Sequence, residues 1–317
     1  MEEAPHMDAL AVVLEKPEVL ALNRLPLTPA AEGDAVVAVT WSGISTGTER
    51  LLWTGRMPSF PGMGYPLVPG YESVGTVESA PAGSDLSVGQ AVFVPGARCF
   101  GTVRGLFGGA ASHLIVPAEK LVPVDPALGE KAILLALAAT AYHAMASNAP
   151  GERSLIVGHG VLGRLLARLT ALSGAMPTVW ETNPVRARGE FGYPVIHPDQ
   201  DERRDYATIT DVSGDASLLD TLIGRLCSGG EIVLAGFYEA PLAFAFPPAF
   251  LREARIRVAA EFRPHDLAAV SALVARGALS LDGLITHRRP ASEAEQAYRT
   301  AFGEPECLKM ILDWRNA

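Results

Sequence analysis

Between residues 9 and 116 short apolar runs recur at intervals, each cut off by Gly or Pro. The runs at 9–14, 35–41, 73–79, 91–94 and 112–116 predict strands, and turn clusters such as Pro81-Ala82-Gly83-Ser84-Asp85 separate them. Such spacing suggests a folded-over barrel or sandwich. The texture changes over 125–149, where an Ala/Leu-rich stretch predicts one long helix. Beyond it strand and helix patterns alternate, with strands at 155–157, 178–180, 208–211 and 231–235 and helices at 161–172 and 217–226. This alternation predicts a doubly wound α/β domain. After Arg263 come an amphipathic helix at 267–276, an extended piece at 284–288 and a final helix from Ser292; no internal repeat is visible.

Composition narrows the picture. A chain of 317 residues predicts two domains, each with its own core. With 49% hydrophobic and 19% charged residues, a disordered chain is excluded. The 26 Lys and Arg against 35 Asp and Glu leave a net charge of −9 with no basic block, which argues against a nucleic-acid partner. Cys99, Cys227 and Cys307 are far apart and odd in number, neither a disulfide framework nor a metal knuckle, so a reducing, cytoplasmic compartment is expected. Residues 1–8 are acidic without an apolar stretch and do not read as a signal peptide; His6-Met7 also reads as a scar ahead of the native start. The longest apolar run, 132–146, is shorter than the roughly 20 residues a membrane span needs and contains Tyr142 and His143, so it predicts a buried helix and no membrane span.

Directly after the predicted strand at 154–157 stands Gly158-His159-Gly160-Val161-Leu162-Gly163, followed at once by helix. In this setting Gly158 makes the tight turn, Gly160 lets a pyrophosphate approach the backbone, and Gly163 lets helix and strand pack closely. The next strand ends in Trp180-Glu181, where an acidic side chain accepts hydrogen bonds from an adenosine ribose diol and repels a 2′-phosphate. The expected cofactor is therefore NAD rather than NADP, with Arg186 and Arg188 nearby as a weak counter-signal. His159 reads as a solvent-facing spacer within the cofactor loop. The bland alternative is a Gly-rich turn of some other α/β enzyme, with Glu181 a solvated strand end.

The order of elements, together with several short motifs, resembles the medium-chain dehydrogenase/reductase superfamily over nearly the whole chain. These motifs are Trp41-Ser42-Gly43-Ile44-Ser45, where the family has Ser-Gly-Ile-Cys; Pro69-Gly70-Tyr71-Glu72 followed by Gly75, where it has Pro-Gly-His-Glu; and Gly108-Gly109-Ala110-Ala111. Later matches are Asp211-Val212-Ser213-Gly214, the run from Ser228 to Gly236, and Leu284-Ile285-Thr286-His287-Arg288. The resemblance implies a β-rich GroES-like catalytic lobe over 8–130, a Rossmann domain over 131–264 and a C-terminal return to the lobe over 265–317. Zinc members supply three protein ligands and keep one open position. Here Ser45 replaces the Cys, Tyr71 replaces the His, Ala136 falls at the third place, and Cys99 is the only cysteine where a structural zinc lobe would need four. The resemblance thus implies a member with no metal. Within the superfamily, the stretches from Ser42 to Gly55 and from Pro66 to Glu72 are similar to members that oxidise the 3-(1-hydroxyethyl) group of a bacteriochlorophyllide to 3-acetyl.

That resemblance implies roles for particular residues. Tyr71 is expected to face the reacting group as hydrogen-bond donor or proton acceptor, or else to fill the hole left by the metal. Ser45 reads as a polar wall, and Glu72 as an anchor or a base. Thr140 and His143 fall on the helix where members touch the nicotinamide ribose, Ser213 is a further cofactor-binding residue, and His143, three residues after Thr140, is either a satisfied structural histidine or a proton relay. The apolar segment from Leu51 to Val68, with Trp53, Met57, Phe60, Met63 and Tyr65, suits a large flat ligand, and Arg50 and Arg56 are placed to meet its propionate. The alternative for that segment is packing within the lobe or against a second copy in a homodimer. Two rival functions stay open: a quinone or enoyl reductase without zinc, which favours NADPH and so is opposed by Glu181, and a nucleotide-binding protein without enzymatic activity.

Overall fold

The structure is a computed structural model that describes residues 7–145 and 153–317. It divides into two compact units, Met1–Ala136 with Asp282–Ala317, and Leu137–Leu281.

The first unit is built on antiparallel sheet. The hairpin Asp8–Lys16 with Val19–Pro26 carries the short strands Leu67–Val68 and Arg104–Gly105 at its side. The larger sheet runs in the order His287–Pro290, Met310–Asp313, Asp34–Ile44, Ser73–Ser79, Ala91–Val94 and Val122–Pro123, with His113–Pro117 also paired to Asp34–Ile44. Asp34–Ile44 alternates buried with half-buried positions along most of its length, as a strand with one face on the core must. Its C-terminal end positions the site, because Ser42 lies opposite Ser73 on one side while Ile44 lies opposite Met310 on the other. The core beneath includes Val12, Leu14, Val37, Leu67, Leu114 and Leu312.

The helix expected over 125–149 is two pieces. A 3-10 segment, Pro126–Leu134, starts after Asp125, whose side chain accepts the Ala127 N–H, and Gly129 breaks it at φ 50°, ψ −131°. An α-helix, Leu135–Ala144, follows, and the rest of the expected span from residue 146 lies outside the described residues.

The second unit is a six-stranded parallel sheet in the order Val195–Ile196, Thr178–Trp180, Ser154–Val157, Tyr206–Asp211, Leu226–Leu234, Arg255–Val258. All four residues of Ser154–Val157 are buried, as a central parallel strand covered on both faces requires. The chain order reverses about this strand, and such a switch point opens a crevice at the carboxyl ends of the strands. Helix Val161–Leu172 buries Val161, Leu165, Leu166 and Leu169 on one stripe. Helix Pro264–Ala275, with Leu267 and Val270 buried, also belongs to this unit, so the return to the first unit begins at Asp282 and not at the expected 265. Among the described residues, no helix is long and apolar enough to cross a membrane.

Candidate active site

In the parallel unit the loop after Val157 has the geometry its glycines suggest. Gly158 sits at φ +105°, a conformation that side chains rarely adopt. A Cβ on Gly163 would lie 1.9 Å from the Gly158 carbonyl oxygen, so the helix can begin this close to the strand only without a side chain there. A Cβ on Gly160, by contrast, would meet nothing within 4 Å. The backbone faces open space where Val161–Leu172 starts, and no side chain caps that helix. Val161 and Leu162 open its first turn, with Val161 buried.

Glu181 is half-buried at the end of Thr178–Trp180, with Oε1 accepting the Asn183 N–H at 2.7 Å and Oε2 accepting the His159 N–H at 3.1 Å. Its carboxylate therefore lies against the glycine loop. Asp211 closes the neighbouring strand; Oδ1 takes the Ser213 N–H at 2.9 Å and Oδ2 takes the Tyr238 hydroxyl at 2.8 Å. Burial raises its carboxyl above the usual range. On Leu135–Ala144, Thr140 is half-buried and His143 places Nδ1 2.9 Å from Oδ2 of buried Asp266, which also accepts the Arg263 N–H. This contact with Asp266 fixes the orientation of the His143 ring.

In the antiparallel unit the residues around the end of Asp34–Ile44 form a mostly buried polar cluster. Ser45 Oγ is 2.8 Å from the Tyr71 hydroxyl, and the half-buried Tyr71 ring stands edge-on to Phe107. Burial pushes the Tyr71 phenol well above its ordinary pKa, the carboxylates of Glu72 and Glu49 add to this, and the hydrogen bonds from Ser45 and Thr48 oppose it. The phenol stays protonated at neutral pH, with an O–H available to donate. Glu72 is 0% exposed and its Oε2 lies 2.6 Å from Nζ of Lys309, itself 1% exposed. Lys309 also donates to the Ile44 carbonyl at 3.2 Å. A Cβ on Gly43 would come within 2.3 Å of Glu72 Oε2, which explains the glycine beneath the carboxylate. The other oxygen, Oε1, has no hydrogen-bond partner among the described residues.

Glu49, in the first turn of helix Thr48–Thr54, is also buried; it accepts the Ser45 N–H at 3.0 Å and the Tyr298 hydroxyl at 2.6 Å. Burial lifts its pKa to about 7, against the two donors, with Glu72 raising it further and Lys309 lowering it. A carboxyl whose folded pKa is raised keeps its proton longer in the native state, so its contribution to stability is full below the unfolded value and is lost as pH rises through about 7. Glu49→Gln removes that dependence. Between pH 5 and 8 the variant should gain on the wild type by an amount on the order of 3 kcal/mol in urea unfolding, and parallel pH profiles for the two proteins would show that Glu49 does not titrate there.

Comparisons with known proteins fit this geometry. Residues 31–126 match the alcohol dehydrogenase GroES-like domain. The chain is 56% identical to the 2-desacetyl-2-hydroxyethyl bacteriochlorophyllide A dehydrogenase of Rhodobacter capsulatus over 98% of its own length and 100% of that protein's. It is 57% identical to the enzyme of the same name from Cereibacter sphaeroides, over 98% and 99%. The chain belongs to this dehydrogenase family. Its fold is shared with a crystal structure described as a short chain alcohol dehydrogenase of Escherichia coli CFT073 complexed with NADH, which superposes with a TM-score of 0.84 at 19% identity, covering 96% of this chain and 99% of that one.

In this member of the bacteriochlorophyllide dehydrogenase family, the donor set does not fit a catalytic zinc. Ser45, Tyr71 and Ala136 supply no thiolate or imidazole, Lys309 already neutralises Glu72, and among the described residues no three His, Cys, Asp or Glu side chains gather as a metal requires. A dinucleotide fits the glycine loop, since the backbone at Gly160 is open and an acidic side chain borders it. One expectation is corrected: His159 is 0% exposed rather than solvent-facing. Of the two alternatives for the segment from Leu51 to Val68, packing within the lobe describes Trp53 and Met57, each 7% exposed in the lobe core, Trp53 against Tyr298 and Phe302. Phe60 is half-buried against the same core, while Arg50 and Arg56 are exposed. Sequence reasoning missed Glu49, Lys309, Tyr298 and Asp266. Glu49 and Lys309 are marked as buried only by long-range partners, Tyr298 and Glu72, which no local window of sequence contains.

Proposed function

We propose that this chain oxidises the 3-(1-hydroxyethyl) group of a bacteriochlorophyllide to 3-acetyl with NAD as the oxidant, a step of bacteriochlorophyll a biosynthesis. The observation that carries this reading is the 56–57% identity, over nearly the full length, to two enzymes named for that substrate. A dinucleotide held by the loop of Gly158, Gly160 and Gly163 beside Glu181 would supply the acceptor for the hydride of the carbinol carbon. The protonated Tyr71, paired with Ser45, donates its O–H to the carbinol oxygen and stabilises the negative charge that builds there as the alcohol proton passes to solvent, so that alcohol and NAD give ketone, NADH and one released proton. Glu72 anchors this region through Lys309 and is not the base, because its charge is already committed to a buried ion pair. His143, its ring oriented by Asp266, is the proton-relay candidate on the dinucleotide unit. Positive charge developing at the carbinol carbon spreads into the attached macrocycle, which lessens the need for a metal alkoxide. Phe60 and the exposed Arg56 are the remaining candidates for contact with the pigment and its propionate.

Glu181 supports NAD over NADP, since an acidic side chain at the end of this strand, bound to the His159 N–H of the glycine loop, repels a 2′-phosphate on an adenosine ribose. Glu181→Ala is expected to raise KM for NAD and to narrow the preference. Wild-type protein that turns over faster with NADP at equal concentration would show that Glu181 does not discriminate.

A further inference from the structure

His159 does more than space the glycines. Its ring is fully buried, with Nδ1 2.8 Å from the Arg186 carbonyl oxygen and Nε2 3.0 Å from the Tyr193 hydroxyl. A carbonyl oxygen only accepts, so Nδ1 carries the proton and the Tyr193 O–H donates to Nε2. Burial holds the imidazole pKa down to about 4, with the Arg164 and Arg168 charges acting in the same direction, so the ring is neutral and this pattern is fixed at working pH. Phe191 meets the ring edge-on at 4.5 Å, and Arg164 lies over Phe191 while donating to both the His159 and Arg186 carbonyls. The glycine loop, the helix that follows it and the segment after Thr178–Trp180 are thereby joined at one point. Glu181 sits inside that junction, held by the His159 N–H on one side and the Asn183 N–H on the other.

We propose that His159, with Tyr193 and Arg164, is a positioning and specificity-determining residue for the adenosine end of the cofactor, fixing Glu181 at the distance from the glycine loop that a ribose diol needs. This rests on the NAD reading above and deepens it. The ring reaches the ribose only through Glu181, so its loss should weaken adenosine recognition without a matching loss in the chemical step.

The test measures KM and kcat with NAD and NADP, and both direct calorimetric binding of and inhibition by ADP-ribose, which lacks only the nicotinamide of NAD, for full-length wild type, His159→Ala, His159→Asn and Tyr193→Phe. His159→Ala should raise KM for NAD and the ADP-ribose inhibition constant by about 10-fold or more, with kcat falling far less and the NAD to NADP ratio shrinking in step. His159→Asn, which keeps a donor for the Arg186 carbonyl, should recover part of the loss. Tyr193→Phe removes one oxygen and should cost about 3- to 10-fold, which keeps the proposal exposed to test if the Ala variant does not fold. Unchanged KM, inhibition and cofactor ratio in the folded variants would overturn the proposal alone. A wild-type protein that binds neither NAD nor ADP-ribose would overturn the NAD reading with it.

Discussion

Tyr71→Phe should lower kcat by about 10- to 1000-fold while leaving NAD affinity as it is, the pattern expected when a hydrogen bond made only in the transition state is lost. The size follows from where the hydroxyl sits. It is held by Ser45 Oγ at 2.8 Å and kept protonated by burial and by two neighbouring carboxylates, so a donor is always presented and need not be reorganised as the reaction proceeds. Ser45→Ala should reproduce a smaller part of the loss, because the phenol keeps its place against Phe107 but loses the partner that aims its hydroxyl. A Phe variant with wild-type kcat would reduce Tyr71 to a filler of the space where zinc members place a ligand.

The largest effect on stability is expected at Lys309. Lys309→Met leaves the Glu72 carboxylate buried and without its counter-charge, and breaking such a pair from one side costs about 3–5 kcal/mol. Glu72→Gln combined with Lys309→Met should recover most of that, since two neutral groups of similar size replace two charges. Urea unfolding of the single and double variants reads the coupling directly. Additive losses would mean that the two side chains do not depend on each other in the folded protein. The pair matters for chemistry as well as folding, because Glu72 follows Tyr71 in the chain and Lys309 also ties the Ile44 carbonyl, one residue before Ser45. One buried ammonium thus braces both backbones that carry the Ser45–Tyr71 bond.

Much of the architecture was legible because local pattern and tertiary role agree. The strand Ser154–Val157 is short, apolar and fully buried, and the glycine loop behind it has few physical solutions, so strand, turn and helix could be placed from sequence. Strand Met310–Asp313 was not legible. It spans four residues, and its register comes from pairing with residues far earlier in the chain, which no local window contains. Lys309 shares that fate: its partners Ile44 and Glu72 are 265 and 237 positions away. The segment around Trp53 was left with two readings for a different reason. A ligand wall and a core-facing helix both need apolar side chains, and only the packing of Trp53 against Tyr298 and Phe302 tells them apart at that residue. His159 shows the same limit, since histidine in a glycine loop reads as exposed until Arg186 and Tyr193 are seen around it.

The most direct measurement is an absorbance scan of the purified protein with NAD and hydroxyethyl bacteriochlorophyllide, with and without a metal chelator. The account predicts that the long-wavelength band moves to the red as the 3-acetyl group comes into conjugation, that NADH appears in equal amount, and that the chelator changes neither. No shift, or a shift that requires added metal, would contradict it.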